Sequence, residues 1–477
     1  MRRFLILCLV LIAPLSAAQI TSKEFYTKLE RGIDQIISPV DKNVHIGIEI
    51  LSLKSGLRLY EKNAHKLFVP ASSVKLFTAG AALSLLGPDF TFETNLLTDG
   101  SIDGSTLKGN LYLQGSGDPS FSLKDLEQMV LELRLRQVEK IEGDLIVDNF
   151  AFDDVRWGPG WMWDDTQSSC YAPMNALTIN ENCLRIWIKP AEKVAQPPKV
   201  FAFPRTRFVR IENHALTDKK KSTLTLESNL KEGRNTVEII GEIPQKSALQ
   251  SHLIPLQGSH FYAVTLLQSI LKKSGITWTG KIQVREVPDS ATSLATNRSS
   301  SLAMLLHKAM EESSNLYTDL FFKKIGQVAS SSQGTWKNGK EALHRHLEVD
   351  AGLDTSDMVI LDGSGLTRYN LASPHQFVTY LRWIYEKFPY SAEYLSALPI
   401  GARTGTLKNR YSKDLPLLRA KTGRMTGITS LCGFIRTQDQ EPLAFAILIS
   451  GFTEKTSKYK TEVEDAICTF LGNLSRE

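Results

Sequence analysis

Past its first residues the sequence has no apolar run near the roughly 18 residues that a bilayer-spanning helix requires, so no membrane-spanning segment is expected in the mature chain. Cysteine is scarce, five in 477 residues, and none falls in Cys-x-x-Cys spacing. That excludes a disulfide framework and leaves zinc without a ligand pattern. His344 and His346 alternate instead of sharing one helix face at i, i+4, so no metal and no other cofactor is expected. An excess of one charge is also missing: 56 Lys and Arg stand against 51 Asp and Glu, a scattered +5. Nucleic acid is therefore not an expected partner. The densest basic run, Lys219-Lys220-Lys221, reads as a solvated loop or edge. Internal repeats are absent, which excludes a solenoid.

What is present is an ordinary globular composition, 42% hydrophobic and 22% charged, long enough for two or three domains. Residues 1–18 read as a secretory leader: Arg2 and Arg3, an apolar run from Phe4 to Leu15, and small residues at Ser16-Ala17-Ala18. Export to the periplasm, with cleavage near Ala18, is the expectation. Of the four remaining cysteines, Cys170 and Cys183 would close a short loop, and a disulfide between them is expected to be feasible. Cys432 lies in an apolar strand-like run, where a buried thiol and a bond to Cys468 both stay open.

Alternating residues from His45 to Ile50, a turn at Lys54-Ser55-Gly56 and Leu57 to Tyr60 predict a β-hairpin. Ser72 to Leu86 shows helical spacing and stops at Gly87-Pro88. Phe90 to Gln250 is broken into short alternating runs, a β-rich block. Helical patterns resume from Phe261, strands return at Leu417–Thr422, Ile428–Ile435 and Leu443–Ser450, and a helix closes the chain. A hairpin at the start and strands at the end predict one sheet built from both termini with helices on its two faces.

Three short motifs carry chemistry. Ser72-Ser73-Val74-Lys75 places an amine one helical turn from a hydroxyl, close enough to act as its base once neutral. The same spacing recurs at Ser105/Lys108, Ser228/Lys231, Ser269/Lys272 and Ser457/Lys460, so the tetrad alone is weak. Ser313-Ser314-Asn315 is the only Ser-x-Asn; its hydroxyl suits a proton relay and its amide a substrate carbonyl. Lys421-Thr422-Gly423 ends a strand-like run and suits a carboxylate. Copies at Lys54-Ser55-Gly56 and Lys273-Ser274-Gly275 precede Ser313 and do not complete the order.

In that order the motifs resemble the penicillin-binding protein and β-lactamase superfamily. With Gly115–Pro119, Asp362–Leu366 and Gly405–Leu407, and with the long stretch between Lys75 and Ser313, the chain is similar to the class C low-molecular-mass penicillin-binding proteins, the D-alanyl-D-alanine carboxypeptidase/endopeptidase family. The resemblance implies an α/β fold: a β-lactamase-like α/β/α transpeptidase domain, residues 19–92 and 290–477, interrupted by a β-rich insertion of two small domains, residues 93–289. It implies that Ser72 is acylated, Lys75 is its base and Ser313 relays protons. Asn315, Lys421, Thr422 and Gly423 would bind substrate, and the N–H groups of Ser72 and Arg424 would hold the oxyanion. Arg368 and Asp165 match, more weakly, positions that grip the diaminopimelate end of the stem peptide. Peptidoglycan stem peptides are the implied substrate and β-lactams the implied covalent inhibitors. Two positions depart from the pattern: Arg424 stands where a small hydroxylic residue is usual, and Thr404 where an acid is expected. The competing readings are a β-lactamase and a non-catalytic cell-wall-binding protein.

Overall fold

The structure is a computed structural model that describes residues 13–162, 168–231 and 234–475. Most of the expected leader, and Asp165, lie outside the described residues. A helix, α1 (Ala13–Ile37), runs through the expected cleavage point. Among the described residues no helix is long and apolar enough to cross a membrane.

Five antiparallel strands form the central sheet: β1 (His45–Ser52), β2 (Arg58–Lys62), β3 (Leu418–Met425), β4 (Ile428–Arg436) and β5 (Pro442–Ser450), in the order β2-β1-β5-β4-β3. The expected union of the two termini is the β1–β5 pairing, His45 opposite Ser450 through Ser52 opposite Leu443. Strand β5 shows why the sheet needs helices on both sides. Its Leu443, Phe445, Ile447 and Ile449 share a core with Leu29 and Ile33 of α1 and with Ile467 and Leu471 near the C terminus. Its Ala444, Ala446 and Leu448 face the other way, into a core with α2 (Lys75–Leu86), α3 (Asn315–Ser330) and α4 (Pro374–Glu386). A strand buried on both faces has to be apolar along its buried length, as this one is from Leu443 to Ile449. The two alanines give the second helical layer a close approach.

Glu93–Thr98 starts a different kind of structure. It pairs with Leu111–Gly115 and with Thr292–Arg298 in a five-stranded mixed sheet, and four smaller sheets follow. Their inward side chains share one apolar core with two helices, Leu123–Leu135 and Ser259–Lys273. The first of these helices is absent from the purely β-rich reading of residues 90–250. It is capped by Ser122 and Asp125 and buries Leu126, Met129, Val130 and Leu133, a helical period that short-run alternation around it obscures. Helix α2 also begins later than its sequence pattern suggests, because Ala71–Val74 forms a 3-10 turn.

The feasible Cys170–Cys183 disulfide is not formed: both thiols are free. Cys183 heads a strand and is buried in the helical core, while Cys170 is exposed on a short turn. Cys432 and Cys468 are buried free thiols, and burial pushes the Cys432 thiol up to about 12.

Candidate active site

The three motifs converge on one groove of about 660 Å³ between the edge strand β3, the N terminus of α3 and the turn before α2. The 3-10 turn is held to the sheet by hydroxyls: Ser73 bonds Ser430 of β4 at 2.8 Å, and Ser430 donates to the Pro70 carbonyl at 2.7 Å. Ala71 is left-handed at φ 48°, and this bend presents Ser72 to the groove. Two glycines let neighbouring backbone close on the turn. A side chain at Gly365 would run into the Ala71 carbonyl, and one at Gly423 into Pro70 and the Ser72 nitrogen.

Lys75 is wholly buried. Its Nζ donates to Ser72 Oγ at 2.9 Å, to Asn315 Oδ1 at 2.7 Å and to the Ser364 carbonyl at 2.6 Å. Burial pushes its pKa down to about 8, against the upward pull of Asp319 and Asp362. Lys421 is equally buried; its Nζ donates to Ser313 Oγ and to the Thr422 carbonyl, each at 2.8 Å. Burial first, and then the charge of Lys75, hold Lys421 well below the usual lysine range. Ser313 adopts φ 57° just before α3, whose first turn is capped by Ser314. The left-handed residue turns the Ser313 hydroxyl toward Lys421, while the helix carries Asn315 toward Lys75.

Thr422, Gly423, Arg424 and Arg368 line the same groove. The Thr422 hydroxyl donates to Thr406 at 3.0 Å, and Arg368 donates to the Thr426 carbonyl at 3.2 Å. The Arg424 side chain is exposed. Thr404, where an acid was expected, donates to Glu311 Oε1 at 2.6 Å, so a carboxylate stands there from another element. Asp165 lies outside the described residues.

Several groove residues were missed in the sequence. Cys170 offers its carbonyl to Asn315 Nδ2 at 3.1 Å. Arg410, almost fully buried, pairs with Glu464 at 2.9 Å at the far end of the groove. The Ser364 carbonyl that holds Lys75 belongs to the Asp362–Leu366 run, which had served only as a family resemblance. A carbonyl has no sequence signature of its own. Elsewhere, the ligand atoms of Glu212 and Glu238, each on a strand, and of His214, just past the first strand's end, lie within 4.8 Å of one another, but Arg210 already pairs with Glu212 at 2.9 Å. That trio does not line the groove.

Residues 29–474 match the D-Ala-D-Ala carboxypeptidase 3 (S13) family, and the chain belongs to it. It is 29% identical to a D-alanyl-D-alanine carboxypeptidase of Actinomadura sp. (strain R39), over 94% of this chain and 85% of the relative. It is 26% identical to D-alanyl-D-alanine carboxypeptidase DacB of Haemophilus influenzae, over 93% of both. The crystal structure of penicillin-binding protein 4 (dacB) from Haemophilus influenzae superposes with a TM-score of 0.82 at 24% identity, covering 92% of this chain and 98% of that one. The same protein has also been solved with a β-lactam bound.

Proposed function

We propose that this member of the S13 family is a serine-type D-alanyl-D-alanine carboxypeptidase and/or DD-endopeptidase that cleaves peptidoglycan stem peptides through a Ser72 acyl-enzyme. The single observation that carries the reading is the Lys75 amine, fully buried and 2.9 Å from Ser72 Oγ. A lysine in water is charged and useless as a base; burial supplies the neutral fraction that deprotonating a serine requires. As an ammonium, Lys75 sends its three hydrogens to Ser72, Asn315 and Ser364. When it loses one proton, the carbonyl oxygens of Asn315 and Ser364 keep the other two. The lone pair then points at Ser72, whose hydroxyl turns and becomes the donor.

Ser72 Oγ attacks the carbonyl of the penultimate D-Ala, and Lys75 takes its proton. The oxyanion forms between the N–H groups of Ser72 and Arg424; the close packing of Gly423 on the Ser72 backbone supports that placement. Lys421 and Thr422 hold the carboxylate beside the scissile bond. Collapse of the tetrahedral intermediate expels the terminal D-Ala, or a neighbouring strand, as an amine. That amine receives the proton from Lys75 by way of Ser313, and water then hydrolyses the ester. Asn315 orients the substrate backbone, and Arg368 and Asp165 grip the diaminopimelate end. A β-lactam acylates the same oxygen, but its leaving group stays tethered, so the ester persists. This chemistry goes with export: residues 1–18 are a cleaved leader, the enzyme works in the periplasm, and residues 19–92 with 290–477 form the catalytic unit around an insertion at 93–289.

Fluorescent penicillin should label the wild-type chain covalently and leave Ser72→Ala unlabelled, with a D-Ala-D-Ala-terminated pentapeptide releasing D-Ala from the wild type alone. Label on folded Ser72→Ala protein overturns the assignment. Sustained nitrocefin turnover in place of a single burst identifies a β-lactamase instead, and folded protein with neither label nor D-Ala release identifies a wall-binding protein.

A further inference from the structure

Behind Lys75 sits a buried carboxyl group that the acylation steps do not use. Asp319 lies on α3 one turn after Asn315 and has no exposed surface. Its Oδ1 accepts the Gly363 N–H at 2.9 Å. The Gly363 carbonyl accepts the Thr78 hydroxyl of α2 at 2.8 Å, and the next carbonyl, Ser364, accepts Lys75 Nζ at 2.6 Å. Two helices therefore grip one dipeptide from opposite sides. The loop is pressed onto α3 so closely that a side chain at Gly363 would meet the Thr318 carbonyl and Phe322. Asp362 has a different task. Its two oxygens accept Gly365 N, Thr367 N, Asn370 Nδ2 and Trp161 Nε1, which sets the shape of the loop but does not tie it to α3.

We propose that Asp319 is a positioning residue for Lys75: through the Gly363–Ser364 dipeptide it holds the amine against Ser72, and when ionised it stands as a counter-charge to that amine. The inference rests on the reading of Lys75 as the base for Ser72. The charged groups around the pair are Asp362 on the loop, Lys323 one turn further along α3 (paired with Asp153 at 2.5 Å) and Lys421 of β3, which faces Lys75. Burial and then Asp362 push the Asp319 carboxyl above its usual range; the Ser364 hydroxyl, Lys75 and the Gly363 N–H pull it back. As a carboxylate it favours the charged form of Lys75, so removing its charge lowers the lysine pKa further.

The test is the rate at which fluorescent penicillin acylates the full-length chain, measured against pH, with thermal melting as the check on folding. Asp319→Asn keeps an oxygen for the Gly363 N–H but loses the charge. Its acid limb should move to lower pH by on the order of one unit, the scale of an opposite charge a few ångströms away, while labelling still runs to completion. Thr78→Val removes the other hydrogen bond that holds Gly363 without changing any charge, while Asp319 still accepts the Gly363 N–H. It should slow acylation about tenfold at every pH, the scale of one lost hydrogen bond to a positioned group, with the limb unmoved. An Asp319→Asn profile that coincides with wild type overturns the electrostatic role, and wild-type rates at every pH in folded Asp319→Leu, which removes the acceptor of the Gly363 N–H, overturn the positional one. Either result leaves the acyl-enzyme reading standing. That reading fails separately if Ser72→Ala is labelled.

Discussion

The central sheet with its helices and the proposed insertion at residues 93–289 both have cores rich in leucine and isoleucine, yet they treat charge in opposite ways. Among the described residues, every buried lysine or arginine (Lys75, Lys323, Arg410 and Lys421) lies outside the insertion. The insertion buries Asp118 and Asp148 but no lysine or arginine. Taking a cation out of water is costly unless carboxylates and carbonyls surround it. Around these cations such partners are present: Asp319 and Asp362 near Lys75, Asp153 reaching across from the insertion to Lys323, and Glu464 at Arg410. Buried cations therefore mark where this fold spends stability on reactivity, and the insertion, lacking them, is a scaffold that lends the groove one wall at Cys170 and Tyr171.

The comparison breaks if a scaffold residue proves reactive or a buried cation proves idle. Lys75→Ala should give the largest effect, a fall in penicillin acylation on the order of a thousandfold or more, because the serine loses the base bonded to it. Stopped-flow labelling measures it. Arg410→Ala comes next, and its effect is on stability. It strands Glu464, which is 1% exposed, and should cost about 3–5 kcal/mol in urea unfolding. Leu133→Ala in the insertion should cost about 2–4 kcal/mol as a cavity in an apolar core, with the labelling rate of folded protein unchanged. A slower label would show that the packing of this distant core, beyond the Cys170 wall, sets the shape of the groove. The smallest effect concerns pH. Burial pushes Asp118 up to about 6, so the folded chain holds that proton more tightly than the unfolded one. Wild-type stability should fall as pH rises from about 4 to about 6, where the folded state binds more protons. Asp118→Asn should be the more stable protein at pH 7, by roughly 1–3 kcal/mol, and lose the advantage at pH 4.

The hairpin, the C-terminal strands and helix α3 can be read directly from periodicity, because each is set by neighbours within a few residues. The helix Leu123–Leu135 was hidden because its neighbours on both sides alternate as strands. For the site, residue type and motif order singled out Ser72, Ser313, Asn315 and Thr422, which line one groove, and Lys75 and Lys421, buried behind it and bonded to Ser72 and Ser313. Local spacing could not separate Ser72/Lys75 from its copies. The structure separates them by environment: Lys108 is tied to Asp103 at 2.6 Å on the surface, and Ser269 and Lys272 lie on an exposed helix face. Cys170 and Cys183 show the opposite failure, being close in the chain yet unbonded, with one thiol in a core and the other at the groove.

By itself the sequence determined the types of the elements, the order of the three motifs and the residues able to do acyl-transfer chemistry, since hydrogen-bonding period and side-chain chemistry are properties of short segments. Tertiary structure alone decided which serine meets a buried amine, that the Ser364 carbonyl and Asp319 stand behind it, and how far its proton affinity falls. Those quantities depend on desolvation and on charges brought in from Asp319 and Asp362, hundreds of residues along the chain from Lys75. Only packing puts such groups within a few ångströms of one another.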